Sequence, residues 1–173
     1  MPLIKMTSSL VIRRAGAGDA AVIARHRVAM FSDMGSVPTL PLADALLELS
    51  TSALVAALGN ESYVGWLALE GNNQVVAGAG VHVKPQLPRI SENGASVVTA
   101  ALPVVVNVYT EPAWRHKGMA RALMATLMQW ARTERFDRLV LHASDAARPL
   151  YISLGFVPTN EMRWSPKIRA EDP

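Results

Sequence analysis

The chain has 173 residues, half of them hydrophobic and 18% charged, with a formal net charge of +3 and no cysteine. That length suits one domain with a full apolar core, and the charge content is too low for a disordered chain. The missing cysteine excludes a disulfide framework, zinc sites built on thiolates and an acyl-cysteine intermediate, and so mild a basic excess fits a small anionic ligand better than nucleic acid.

The opening "MPLIKMTSSL" has no sustained apolar core, so it is not read as a signal peptide. No uninterrupted apolar run reaches about 18 residues, so no membrane span is expected and a cytoplasmic location is. "LVIRRAG" predicts a first strand closed by a glycine turn. Asp19 is placed to cap the helix "AAVIARHRVAMF". There Ala21, Ile23 or Ala24, Val28 and Phe31 repeat as an inner face, and Arg25, His26 and Arg27 fall mostly on the outer one. "SDMGSVPTLP" breaks that helix, and "LADALLELSTSALVAAL" predicts a second, stopped at Gly59-Asn60.

"ESYVGWLALE" and "VVAGAGVHVK" flank the turn "GNNQ" and predict an antiparallel hairpin. "PQLPRISENG" reads as a long surface loop, and "ASVVTAAL" as loop or small strand. "PVVVNVYT" lacks polar alternation, which predicts a central strand covered on both faces. In "MARALMATLMQWARTE", Ala120, Leu123, Met124, Leu127, Trp130 and Ala131 share one helical side. "RLVLHAS" predicts a short strand, "DAARPLYISLG" a helix with a glycine stop, and "EMRWS" a last strand. "PKIRAEDP" reads as a frayed tail. Hairpins followed by strand–helix–strand crossovers predict a mixed α+β sheet with helices on both faces, in one domain over 1–173.

"TEPAWRHKGMARALM" places Arg115, His116, Lys117 and Gly118 where a helix begins. Positive charge is unfavourable there, because free N–H groups already make that end electropositive. An anion bound at the same place removes the conflict. Gly118 lets a phosphate approach the backbone, and the small Ala120 keeps the first turn open. A nucleotide P-loop is not met, since Gly118 is followed by Met119 and no second glycine precedes it nearby. "AGAGVH" likewise fails as a dinucleotide fingerprint.

The pattern that fits is [RQ]-x-x-G-x-[GA], met by Arg115 to Ala120 after a valine-rich strand and before an amphipathic helix. With "SDAARPLYISLGF" downstream and the order of elements, the chain resembles the GCN5-related N-acetyltransferase (GNAT) family over nearly its whole length. The resemblance implies a mostly antiparallel sheet whose two neighbouring parallel strands splay apart at the cofactor. It implies acetyl-CoA as acyl donor, its pyrophosphate held by the N–H groups of Arg115, His116, Lys117, Gly118, Met119 and Ala120. The strand end Asn107, Val108, Tyr109 and Thr110 would pair with the pantetheine amides, and Ser144 would line the other side. The family often has asparagine near that last position, where this chain reads Ser144-Asp145.

Acyl transfer to an amine needs a neutral amine, a polarised carbonyl and a proton for the leaving thiolate. Tyr151 matches the family's tyrosine and is the candidate general acid; the alternative is a helix tyrosine packed on the sheet. Glu111 is the candidate base, or else an exposed turn acid before Pro112. Tyr109 either lines the acceptor pocket or packs, His142 reads as a structural residue, and Asp33 either attracts a cationic amine or caps a turn. His26, His82, His116 and His142 lack metal-ligand spacing, so no metal is expected. The expected partners are acyl-CoA and an amine acceptor, with no nucleic acid or membrane; a homodimer is compatible with the sheet edges. The expected activity is direct N-acetyl transfer in a ternary complex, and the alternative is a non-catalytic acyl-CoA sensor.

Overall fold

The computed structural model describes residues 10–164, apart from 72 and 100. The frayed tail expected over 166–173 therefore lies outside the described residues. The chain divides into two compact units, Met1–His142 and Ala143–Pro173.

In the first unit the strands are β1 (Val11–Arg14), β2 (Tyr63–Glu70), β3 (Gln74–Lys84), β4 (Arg89–Ile90), β5 (Val97–Val98), β6 (Leu102–Thr110) and β7 (Val140–Leu141). Its helices are α1 (Ala20–Asp33), α2 (Leu40–Gly59) and α3 (Met119–Thr133). The main sheet has the order β1-β2-β3-β6-β7. Every pair in it is antiparallel except β6–β7, which is parallel. The fold is thus the mixed, mostly antiparallel sheet expected, with β6 in its interior.

Successive strand residues point to opposite faces, and β2 shows what each face meets. Leu67 joins Ala20, Ile23 and Ala24 of α1 and Leu54 of α2 in one apolar cluster. Trp66, its neighbour, packs at a tilt against Trp130 of α3 with ring centroids 5.5 Å apart. Leu123, Met124 and Leu127 are fully buried along that helix. Burying such a side chain contributes roughly 1.5–3 kcal/mol, so each helix is held mainly by its apolar stripe.

Helix ends follow a common local device. Gly35 after α1 has φ +70, and Ser36 N–H donates to Phe31 O at 2.9 Å. After α3, Arg135 takes φ +59, and Phe136 N–H donates to Ala131 O at 3.0 Å. Both satisfy the orphan carbonyls of the last turn.

Several expectations are corrected. His26, assigned to the outer face of α1, is buried at 2% exposure, and Ala21 is exposed. The reason lies opposite the ring. A Cβ at Gly78 of β3 would stand 3.2 Å from His26 Nδ1, so the bare glycine makes room for the imidazole. The long loop carries a two-stranded hairpin, β4–β5. It is tied down where Arg89 Nη2 bonds the Asp137 carboxylate and Arg138 Nη1 reaches Glu92 Oε1 at 3.0 Å. β7 is shorter than "RLVLHAS" suggested. α2 is long and apolar enough, by length and composition, to cross a membrane. Its sequence holds no unbroken apolar run, since Asp44 and Glu48 interrupt it, so the expectation of no span is not overturned.

The second unit contains α4 (Arg148–Ser153), which ends at Gly155 with φ +92 as its sequence predicts. Residues 161–164 form no strand, although "EMRWS" alternates like one. Met162 and Trp164 are exposed, and the segment has no ladder partner among the described residues.

Candidate active site

The site of the first unit is built on the second half of β6. The β6–β7 ladder holds the pairs Val104↔Val140 and Val105↔Leu141. β6 runs on past it to Thr110, so its parallel partner is left behind where the resemblance places the splay. On the other side the register to β3 shifts between Gly78↔Tyr109 and Gly80↔Val106. An extra β6 residue is absorbed there as a bulge, at Asn107 with φ +55.

A buried network holds that bulge. Arg27 Nη1 donates to Asn107 Oδ1 at 2.7 Å, and Asn107 Nδ2 donates to Tyr63 Oη at 3.4 Å. Burial pushes the Tyr63 phenol up to about 12, against the opposing pull of Asn107 and Arg27, so it stays neutral. The Asn107 side chain is thus committed inside the fold. Neither Arg27 nor Tyr63 was singled out from the sequence; the pairing register alone brings them together with Asn107.

Beyond the bulge, Val108 is half-buried and Tyr109 buried. Tyr109 packs on His26 at 5.1 Å between centroids, and the Arg115 guanidinium lies 5.7 Å from its ring centre. Burial first, then Glu111 and Asp33, raise the Tyr109 phenol. Thr110 pairs with Ala77, and its carbonyl accepts from Arg115 Nε at 3.1 Å. Glu111 N–H donates to Val76 O at 2.9 Å, and Glu111 Oε1 lies 3.3 Å from His26 Nε2. Glu111 is half-buried rather than an exposed turn acid.

The turn that follows takes two left-handed residues, His116 at φ +60 and Gly118 at φ +81. Gly118 is the N-cap residue of α3, without a side-chain cap. The N–H groups of the first helical turn have no helical carbonyl to bond, and nothing lies within 4 Å of a Cβ built on Gly118. His116, Lys117 and Gly118 are exposed, Met119 is buried and Ala120 half-buried. The basic side chains differ in their freedom. Arg115 Nη2 bonds the Asp33 carboxylate, so Asp33 is taken by that pair. Lys117 Nζ lies 4.5 Å from the ring centre of Trp114.

In the second unit the Ser144 hydroxyl accepts the Ala147 N–H at 3.3 Å, and the Ser144 carbonyl accepts from Arg148 N–H at 3.0 Å. Ser144 therefore shapes the turn into α4. Tyr151 is 8% exposed and meets Phe156 edge-on at 5.9 Å; burial raises its phenol.

A model of the acetyltransferase (GNAT) family matches residues 31–156. The chain belongs to that family. Its members use acetyl-CoA, so the protein is an acyltransferase by family. A GCN5-related N-acetyltransferase from Ralstonia eutropha JMP134 superposes with a TM-score of 0.79 at 28% identity, covering 91% of this chain and 98% of its own. A predicted acetyltransferase with acetyl-CoA from Clostridium acetobutylicum gives 0.76 at 27% identity, covering 91% and 96%. An aminoglycoside N-acetyltransferase in complex with CoA gives 0.65 at 16% identity, covering 96% and 99%, and shows the same fold. No curated protein matches the chain.

The residues present fit the family's donor. The turn at Gly118 is open and left-handed, its N–H groups face a helix start, and β6 continues beyond its parallel ladder. Among the described residues no cluster of His, Asp or Glu could hold a metal ion.

Proposed function

We propose that the protein is an N-acetyltransferase that moves an acetyl group from acetyl-CoA directly to a primary amine in a ternary complex. The observation that carries this reading is the continuity of β6. One strand leaves its parallel ladder at Val105, bulges at Asn107, ends beside Glu111 and leads into the left-handed turn at Gly118. The donor supplies the acetyl group and a thiolate leaving group.

The chain's own residues would act around that transfer. Backbone N–H groups from His116 to Ala120 would hold the pyrophosphate, with the Lys117 and His116 side chains nearby; the Arg115 N–H, expected among them, instead donates to Pro112 O at 3.3 Å. The main chain of Asn107 to Thr110 would orient the pantetheine arm. Glu111 takes a proton from the amine as the C–N bond forms, and Tyr151 gives one to the thiolate as the C–S bond breaks. Burial raises the Tyr151 phenol, so it is neutral and carries its proton when the C–S bond breaks.

The test is thiol release from acetyl-CoA with a panel of polyamines, aminoglycosides, amino acids and peptides. At least one amine should turn over, and Tyr151→Phe should lower kcat while CoA affinity stays near wild type. CoA binding without thiol release from any amine would instead make the protein an acyl-CoA sensor. Absence of CoA binding would remove the acetyl-transfer reading.

A further inference from the structure

His26 is a buried polar ring that the mechanism above does not use. Two fixed surfaces bracket it. Its Nδ1 faces the bare backbone of Gly78, and its ring rests on Tyr109. Its Nε2 points to Glu111 Oε1 at 3.3 Å, and neither ring nitrogen has a well-aligned hydrogen-bond partner among the described residues. Buried polar atoms left without partners are costly, and Glu111 is the acceptor within reach. A Cβ at 78 would stand 3.2 Å from Nδ1 and 3.1 Å from Leu67 Cδ2, so the glycine leaves room for both side chains. The chain keeps an imidazole there, buried, with a carboxylate 3.3 Å from its Nε2.

Glu111 needs such a partner. Its main chain is pinned, with N–H on Val76 O and its carbonyl accepting Trp114 N–H at 2.8 Å. Its side chain is the part left to swing. We propose that His26 is a positioning residue for Glu111: its Nε2–H donates to the carboxylate and fixes it at the end of β6, ready to take the acceptor's proton. This rests on the reading of Glu111 as the base.

The surroundings favour a neutral ring with its proton on Nε2. Burial pushes the His26 pKa down, Glu111 pulls it up and Arg25 on the same helix lowers it, with a net fall. From β6 the ring faces Tyr109, whose own neighbours are Glu111, Asp33 and Arg115; from β3 it faces Gly78, which carries no charge. A neutral imidazole donor orients the carboxylate without adding a charge that would have to be removed when Glu111 is protonated.

The test has an arm that needs no acceptor. In the whole protein labelled with ¹⁵N-histidine, His26 should show the Nε2–H tautomer. Its titration midpoint should fall further in Glu111→Gln, because the carboxylate that raises it is gone. In the kinetic arm, with the panel amine of highest turnover, His26→Leu should lower kcat by roughly tenfold or more and leave the KM for acetyl-CoA unchanged. His26→Gln, which keeps an amide donor at the Nε2 position, should recover most of the loss. His26→Leu should cost nothing further in the Glu111→Gln background. An Nδ1–H tautomer, a titration indifferent to Glu111→Gln, or equal losses in the Leu and Gln variants would overturn the proposal. If His26→Leu does not fold, the labelled wild-type and Glu111→Gln proteins still decide. Full activity in Glu111→Gln would instead sink the base reading, and the proposal with it, whatever the spectra show.

Discussion

The Tyr63 hydroxyl lies directly over Gly80. A Cβ built on that glycine would stand 2.0 Å from the hydroxyl oxygen and 2.2 Å from Cζ. No real contact is that short, so the buried ring and any side chain at position 80 are mutually exclusive. The glycine therefore makes space for the ring whose hydroxyl accepts from Asn107, at the bulge of the candidate site.

Gly80→Ala should be among the most damaging single changes in the sheet. It overpacks a buried strand and displaces the ring from Asn107, so the expected loss is about 3 kcal/mol, the upper part of the overpacking range. Tyr63→Phe removes only the hydroxyl and should cost about 1 kcal/mol. Urea unfolding of both variants measures this. A Gly80→Ala protein as stable as wild type would show that Tyr63 does not occupy that space.

Asn107 combines a left-handed backbone with two side-chain hydrogen bonds, and two variants separate these. Glycine at 107 loses the bonds to Arg27 and Tyr63 but adopts φ +55 freely. Alanine loses the same bonds and also bears the left-handed cost, roughly 1–2 kcal/mol. Asn107→Ala should therefore unfold at lower urea than Asn107→Gly. Equal stability of the two would mean that the bulge relaxes when its side-chain anchors are removed.

The difference between local and non-local signals explains what the sequence disclosed. The Gly118 turn was legible because its parts are neighbours in the chain: a valine-rich strand, basic residues, a glycine and an amphipathic helix. β6 was read as an interior strand from its unbroken valines, and the stop at Gly155 from a glycine after a helical pattern. His26 was misread because helical periodicity records one stripe, whereas its burial depends on a glycine in β3. Asp33 and Arg115 are 82 positions apart, so no local pattern joins them. The terminal alternation of Met162 and Trp164 looked like a strand, but a strand exists only against a partner. The network of Arg27, Asn107 and Tyr63 depends on a register shift that no residue type announces.

Gly118→Ala separates stability from binding. A methyl group there meets no protein atom, so the folded state bears only the backbone cost of φ +81, about 1–2 kcal/mol. The same methyl group projects from the turn proposed to receive the pyrophosphate. CoA affinity should fall by on the order of tenfold, about 1.4 kcal/mol. Calorimetric titration with CoA beside urea unfolding measures both effects. Unchanged CoA affinity would remove this turn from the cofactor site.

Acid should destabilise the protein in two stages, because two kinds of group resist protonation in the fold. Burial first, then Arg25, lower the His26 pKa against the opposing pull of Glu111. Burial, Lys84 and Arg27 lower that of His82. Below the ordinary histidine value of about 6.5, the unfolded chain binds protons that the folded chain resists, so stability falls as pH drops. The second stage belongs to carboxylates. Arg13 grips both Asp19 oxygens at 2.8 Å, with Gly16 N–H as a third donor at 2.8 Å, and these hold the Asp19 pKa down. Arg89 and the Glu92 N–H hold down that of Asp137. Their contribution is complete above the unfolded value of about 3.9 and is lost as pH falls through the lower folded values. Unfolding free energy measured from pH 7 to 3 should therefore decline first below about 6.5 and again below about 4. Asp19→Asn should be less stable than wild type at pH 7 and should flatten the second decline alone. A curve level from pH 7 to 5 would mean that His26 and His82 titrate as freely in the fold as in the unfolded chain.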